Sequence, residues 1–150
     1  MKTLRDEKCR IDLIDRINRL TVDSKPAWGR MNVEQMLSHL VQSGEMPFIP
    51  SVPDGSNWFT RKVMKPLSLY VLPIPKGIKT SAEVDQQQAG RTPSGFDSDK
   101  ASVIEGINRL GTVAEDHNCL DHSFFGKMSA KEWGVLGYKH FDHHLRQFGV

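Results

Sequence analysis

Ser129-Ala130-Lys131-Glu132-Trp133-Gly134-Val135-Leu136-Gly137-Tyr138-Lys139-His140-Phe141-Asp142-His143-His144-Leu145-Arg146-Gln147-Phe148 is the stretch on which the fold turns. Ser129 with Glu132 three positions on has the form of a capping box, in which each residue satisfies the other's backbone N–H. From Trp133 the apolar residues recur at three- and four-residue spacing, which predicts a helix running to Phe148. At about 100° per residue, Trp133, Leu136, Gly137, His140, His144 and Gln147 fall on one stripe. Tyr138, Phe141, Leu145 and Phe148 form an adjoining apolar stripe. Lys131, Lys139, Asp142 and Arg146 take the opposite side, and His143 lies on the shoulder beside Glu132 and Lys139.

Outward from this helix the same period recurs. Residues 5–21 read as a helix through Ile11, Leu13, Ile14, Ile17 and Leu20, ended by Asp23-Ser24-Lys25-Pro26. Asn32 with Gln35 forms a second capping-box signature, opening a helix through Val33, Met36, Leu37 and Leu40 to about Ser43. Residues 44–57, with three prolines and two glycines, read as loop. Residues 58–72 read as helical with a kink or break at Pro66. Residues 73–98 are polar and rich in Pro, Gly, Gln and Thr, a long crossover loop. A further helix is predicted over 99–115 through Val103, Ile104, Ile107, Leu110 and Val113. Strand signals are weak throughout. The expectation is an all-α bundle in one domain spanning residues 1–150.

Composition narrows the function classes. The chain has 150 residues, a length that suits a single core. No apolar run approaches the roughly 18 residues a membrane span needs. The charged start, Met1-Lys2-Thr3-Leu4-Arg5-Asp6-Glu7-Lys8, lacks a signal-peptide apolar stretch, which predicts a cytoplasmic protein with no membrane partner. Twenty basic and 18 acidic residues are interspersed, with no basic stripe interleaved with aromatics, so no nucleic acid partner is called for. A homodimer is left open. Two cysteines, Cys9 and Cys119, exclude a disulfide-stapled scaffold and read as ordinary reduced thiols.

The six histidines are where chemistry concentrates. His140 and His144 lie one turn apart, about 6 Å of rise, a spacing at which two imidazoles can chelate one divalent ion. The competing reading is a pair of core histidines satisfied by hydrogen bonds. A third ligand is needed, and His39, mid-helix in Met36-Leu37-Ser38-His39-Leu40, is the best-placed candidate. His117-x-Cys119-x-x-His122 is a competing cluster with no evident fourth ligand. His122 is placed to line a pocket mouth with Phe124, Phe125 and Gly126. There is no Gly-rich phosphate loop, no Gly-x-Ser-x-Gly elbow, no His-Glu-x-x-His, and no inward carboxylate pair on one helix.

Three residue groups together carry a resemblance. Pro26-Ala27-Trp28-Gly29-Arg30-Met31 leads into Met36-Leu37-Ser38-His39; His122-Ser123-Phe124-Phe125-Gly126-Lys127 precedes the last helix; Tyr138-Lys139-His140-Phe141-Asp142-His143-His144-Leu145-Arg146-Gln147-Phe148-Gly149-Val150 closes the chain. From about residue 10 onward the sequence resembles the DinB-like superfamily of four-helix metalloenzymes, and more closely an uncharacterised bacterial branch. The resemblance implies a four-helix bundle of up-down-down-up type with one divalent ion held by His39, His140 and His144. It implies as activity a thiol-dependent S-transfer, or metal-assisted hydrolysis. The stretch 58–72 departs from that pattern, as an additional helix or a long third one broken at Pro66.

A three-His site keeps a coordination position open for water or substrate. Imidazole suits zinc, nickel, copper and iron, and zinc, nickel or iron is the expected ion. Gln147, close to His144 along the helix, is the expected outer hydrogen-bond partner, and Trp133 an apolar wall. A small-molecule thiol or electrophile is the expected partner. The alternative is a non-catalytic module that binds a small ligand or uses the ion to staple its helices.

Overall fold

The computed structural model describes residues 1–50, 52–78 and 81–150; positions 51, 79 and 80, which fall in the two expected loops, lie outside the described residues. The described chain is all-α. Five α-helices run in the order α1 (Glu7–Asn18), α2 (Val33–Glu45), α3 (Lys65–Tyr70), α4 (Phe96–Thr112) and α5 (Ala130–Gln147). A π-helical turn, Thr60–Met64, leads into α3, and a single 3-10 turn, Ala82–Val84, lies in the crossover. The β pairing among the described residues is one isolated bridge between His122 and Gly126.

Side-chain caps fix the starts of α1, α2 and α5. The Asp6 carboxylate accepts from the Lys8 N–H at 2.9 Å and opens α1. Both capping boxes read from the sequence are formed: Asn32 with Gln35 at 2.8 and 3.0 Å, and Ser129 with Glu132 at 3.2 and 2.8 Å. Each such cap contributes about 1 kcal/mol by satisfying otherwise orphaned donors.

Three details differ from expectation. Helix α1 stops at Asn18, yet Leu20 stays buried because a tight turn, with its N–H on the Ile17 carbonyl, folds it back inward. Ile11 faces outward, and Arg16 takes a place on the buried face. Helix α4 starts at Phe96 rather than near residue 99, with Gly95 as its cap. Pro66 does not break a helix. It sits in the first turn of α3, directly after the wide π turn, in which the Lys65 N–H reaches back five residues to the Thr60 carbonyl.

Helices α4 and α5 pack together, and α1 and α2 each pack on both of them. The largest fully buried side chains, among them Phe141, Leu13, Ile17, Met36, Leu37, Leu40, Ile107, Leu110 and Leu145, come from all four. Burial of each contributes about 1.5–3 kcal/mol. The charged side of α5 is more structured than a solvated face. Arg16 of α1 donates to the Asp142 carboxylate at 2.7 Å, with both side chains largely buried. Lys139 donates to the Ser68, Leu69 and Leu72 carbonyls at the end of α3. No helix among the described residues is long and apolar enough to cross a membrane.

Candidate metal centre

Helix α2 has a second, polar stripe beside its apolar one: Gln35, Ser38, His39 and Gln42. The crossover lies along it. Gln42 Nε2 donates to the Glu83 carbonyl at 2.8 Å, and Gln35 Nε2 to that of Gln86 at 3.5 Å. The Ser38 hydroxyl donates to the Arg91 carbonyl at 2.7 Å, and the Arg91 N–H to Gln42 Oε1 at 3.2 Å. Within this strap the Val84 carbonyl stands 3.2 Å from His39 Nδ1. A carbonyl only accepts, so Nδ1 carries the proton and His39 Nε2 is left with its lone pair.

The same logic fixes His144. Gln147 donates from Nε2 to the Trp28 carbonyl at 2.7 Å, which sets the orientation of its amide. Gln147 Oε1 therefore accepts from His144 Nδ1–H at 2.8 Å, and His144 Nε2 is unprotonated. The Trp28-Gly29 pair has a definite part in this. Gly29 adopts φ +84°, and a Cβ there would stand 2.5 Å from Gln147 Nε2, so a larger residue would push the amide away from its carbonyl.

The two imidazoles meet His140. His39 Nε2 and His140 Nε2 are 3.0 Å apart, and ring centroids within the trio are 4.8–5.1 Å apart. One potential ligand atom from each of the three lies within 4.8 Å of the others. Two nitrogens bound to one zinc at about 2.0–2.1 Å stand roughly 3.3 Å apart in tetrahedral geometry, close to the His39–His140 separation. The three residues can hold a metal ion. They form the one such group of histidine, cysteine and carboxylate side chains among the described residues.

The electrostatics keep the trio neutral. Burial, followed by the neighbouring His144 and His39, holds His140 well below the ordinary imidazole value of 6.5. Burial, with His39 beside it, brings His144 down to about 3. Burial also lowers His39, against an opposing pull from the Val84 carbonyl. Outside the trio, burial brings His122 to about 4. Unfolded, each takes up its proton near 6.5. As pH falls below 6.5 the unfolded chain therefore binds protons the fold cannot, and stability drops by about 1.4 kcal/mol per pH unit for each such group. Thermal unfolding of metal-free protein at pH 7 and pH 5 should show a midpoint roughly 10–25 °C lower at pH 5. Equal midpoints would contradict this account of the buried imidazoles.

The other sequence candidates fall elsewhere. His143 turns from the trio: its ring stands edge-on to Trp28 at 6.0 Å, and Trp28 is covered by the Lys76 ammonium at 3.8 Å. His117, Cys119 and His122 do not converge; His117 packs on Phe48 and Cys119 is buried. Trp133 is buried, its Nε1–H donating to the Leu120 carbonyl at 3.1 Å, and it lines a cavity of about 30 Å3 with His122 and His140. Met46 lines both this cavity and a larger outer groove of about 150 Å3, whose wall includes Pro50, Leu120 and Asp121. Sequence reading missed the strap's role. The signal was available in the polar spacing of Gln35, Ser38, His39 and Gln42, which needs either water or a covering segment.

The sequence profile of one family, described as Protein of unknown function (DUF1569), matches residues 7–149. The chain belongs to this family. In this DUF1569 protein the matched span includes His39, His140 and His144, together with Trp28, Gly29, Val84 and Gln147, which position them. No match was found among curated proteins or among solved structures.

Proposed function

We propose that this chain is a metal-dependent enzyme in which His39, His140 and His144 hold one zinc, nickel or iron ion and leave a position for an exchangeable ligand. The observation that carries the reading is the fixed tautomers. With Nδ1 of His39 and His144 committed to Val84 and Gln147, two Nε2 lone pairs face His140 in a buried site. A pair of unprotonated imidazole nitrogens beside a third imidazole is the donor set a divalent ion takes. The reading includes the up-down-down-up four-helix arrangement of the DinB-like proteins, with ligands from the second and last helices. The packing of α1 and α2 on α4 and α5 supports it.

When bound, such an ion supplies a lowered pKa to a water or thiol it carries. Taken as the space at the ion's open position, the cavity beside His140, about 30 Å3, has room for about one water, which favours metal-assisted hydrolysis over thiol-dependent S-transfer. The chain's own residues would do the rest: the imidazoles position the ion, Trp133 and Leu136 keep the cavity apolar, and Met46 stands between it and the outer groove by which a small substrate would approach.

The test is metal analysis of protein made without a His-tag or metal resin, followed by titration of the cobalt-loaded form with low-molecular-weight thiols. About one ion per chain is expected, with weak thiol binding. A tight thiolate charge-transfer band would move the assignment to S-transfer. A loaded ion that exchanges no ligand would leave a structural staple, and a chain that takes no metal would overturn the proposal.

A further inference from the structure

The loop before α5 is built to hold one imidazole still. His122 and Gly126 exchange backbone hydrogen bonds at 2.9 and 2.7 Å. Gly126, at φ +66°, makes that tight closure possible. His122 Nδ1 accepts from the Phe124 N–H at 3.0 Å and the Phe125 N–H at 3.3 Å. A nitrogen accepting two N–H donors cannot carry a proton, so the neutral ring bears its proton on Nε2. The ring lies between Phe125 at 4.7 Å and Trp133 at 5.3 Å, which blocks its rotation.

That Nε2–H makes no hydrogen bond to the described residues and keeps access to solvent, while the ring lines the same small cavity as His140. The Ser43 and Trp133 donors of the cavity are committed elsewhere, which leaves the His140 ring as its other polar group. The Ser43 hydroxyl donates to the His39 carbonyl at 2.7 Å, and Trp133 Nε1–H to that of Leu120. Its remaining lining, including Leu136, Leu110 and Phe141, is apolar.

We propose that His122 is a positioning residue whose Nε2–H donates a hydrogen bond to the water, hydroxide or small anion that completes the coordination of the three-His ion. The proposal rests on the metal reading above and names the ligand class at its open position: water, hydroxide or a small oxygen or nitrogen anion. In an apolar cavity a preorganised N–H favours the anionic form of that ligand, so it lowers the pKa of bound water and tightens small anions.

The clean variant is His122→Asn. Its Oδ1 can still accept the Phe124 N–H, as in an Asx turn, but its side chain is too short to bring a donor into the cavity. In cobalt-loaded protein, metal stoichiometry should be unchanged. The pH midpoint of the visible spectrum should rise by about one unit, and azide should bind about tenfold more weakly, as expected for loss of one hydrogen bond to a charged group. Full loading with an unmoved midpoint and unchanged azide affinity would overturn the proposal. So would loss of cobalt from a folded variant, because His122 would then be a ligand. A second measurement uses the wild type alone. Nitrogen-15 ring correlations should place the His122 proton on Nε2, and an Nδ1–H tautomer would overturn the assignment whether or not the variant folds. Wild-type protein that keeps the Nε2–H tautomer but binds no cobalt would instead remove the three-His reading, and with it this role.

Discussion

Replacing His144 by Ala should abolish metal uptake, while His143→Ala should leave it nearly intact. The two residues are adjacent, but their surroundings are opposite. His144 is 9% exposed, its Nδ1 proton is taken by Gln147, and its other nitrogen faces two further imidazoles. His143 stands edge-on to Trp28, outside the group whose ligand atoms converge. Gln147→Ala should fall between them. It leaves the ligand in place but frees its tautomer and ring orientation, a loss that commonly weakens metal binding about 10–100-fold. Calorimetric titration with zinc, together with metal content by mass spectrometry, ranks the three. Full loading of the His144 variant would remove the basis of the three-His assignment. Equal loss from the His143 variant would show that the phase of α5 is not the one described.

Arg91→Ala should be the most destabilising change to the crossover. Asp99 is 0% exposed, and its carboxylate accepts from Arg91 Nη1 at 2.7 Å and from the Ser94 N–H at 2.9 Å. The guanidinium also reaches the Ser38 and Ser94 hydroxyls, each at 2.9 Å. Removing it leaves a buried carboxylate without its counter-ion, which costs about 3 kcal/mol, at the low end for such pairs because Arg91 is itself 27% exposed. For a chain of this length that lowers the unfolding midpoint by roughly 6–12 °C. Metal affinity should fall with it, because Arg91 anchors the strap that holds Val84 on His39. Replacing both partners by apolar residues, Arg91→Met with Asp99→Leu, should recover most of the lost stability. A single variant with an unchanged midpoint would show that the pair is not structural.

What was legible in the sequence is what local chemistry writes there. Ser129 with Glu132, and Asn32 with Gln35, announce helix starts because the capping partners are three residues apart. The inward phase of His140 and His144 follows from the apolar residues that share their turns. The contacts invisible in the sequence are those made between segments far apart along the chain. Arg16 sits on the inward face of α1, where a wheel expects an apolar residue, because Asp142 arrives opposite it. Lys139 leaves the solvent because the end of α3 presents unpaired carbonyls. The π turn before Pro66 is likewise a tertiary outcome: a proline in a helical pattern signals a break and does not say that the preceding turn will widen instead. Such pairings depend on which segments meet, and no spacing rule encodes them.

The acceptor that sets the His39 tautomer is the main-chain oxygen of Val84, and the one that orients Gln147 is the main-chain oxygen of Trp28. Every amino acid has that atom. Position 84 can therefore change its side chain while leaving the proton on His39 where it is, provided the path of the chain is kept. The segment between Ser81 and Arg91 should tolerate point substitutions far better than changes in length. One residue added or deleted there would move the Val84 carbonyl off the imidazole, and an N–H brought there in its place would return the proton to the inner nitrogen. The information that prepares this site is carried by the spacing of a loop as much as by the identities of its three histidines.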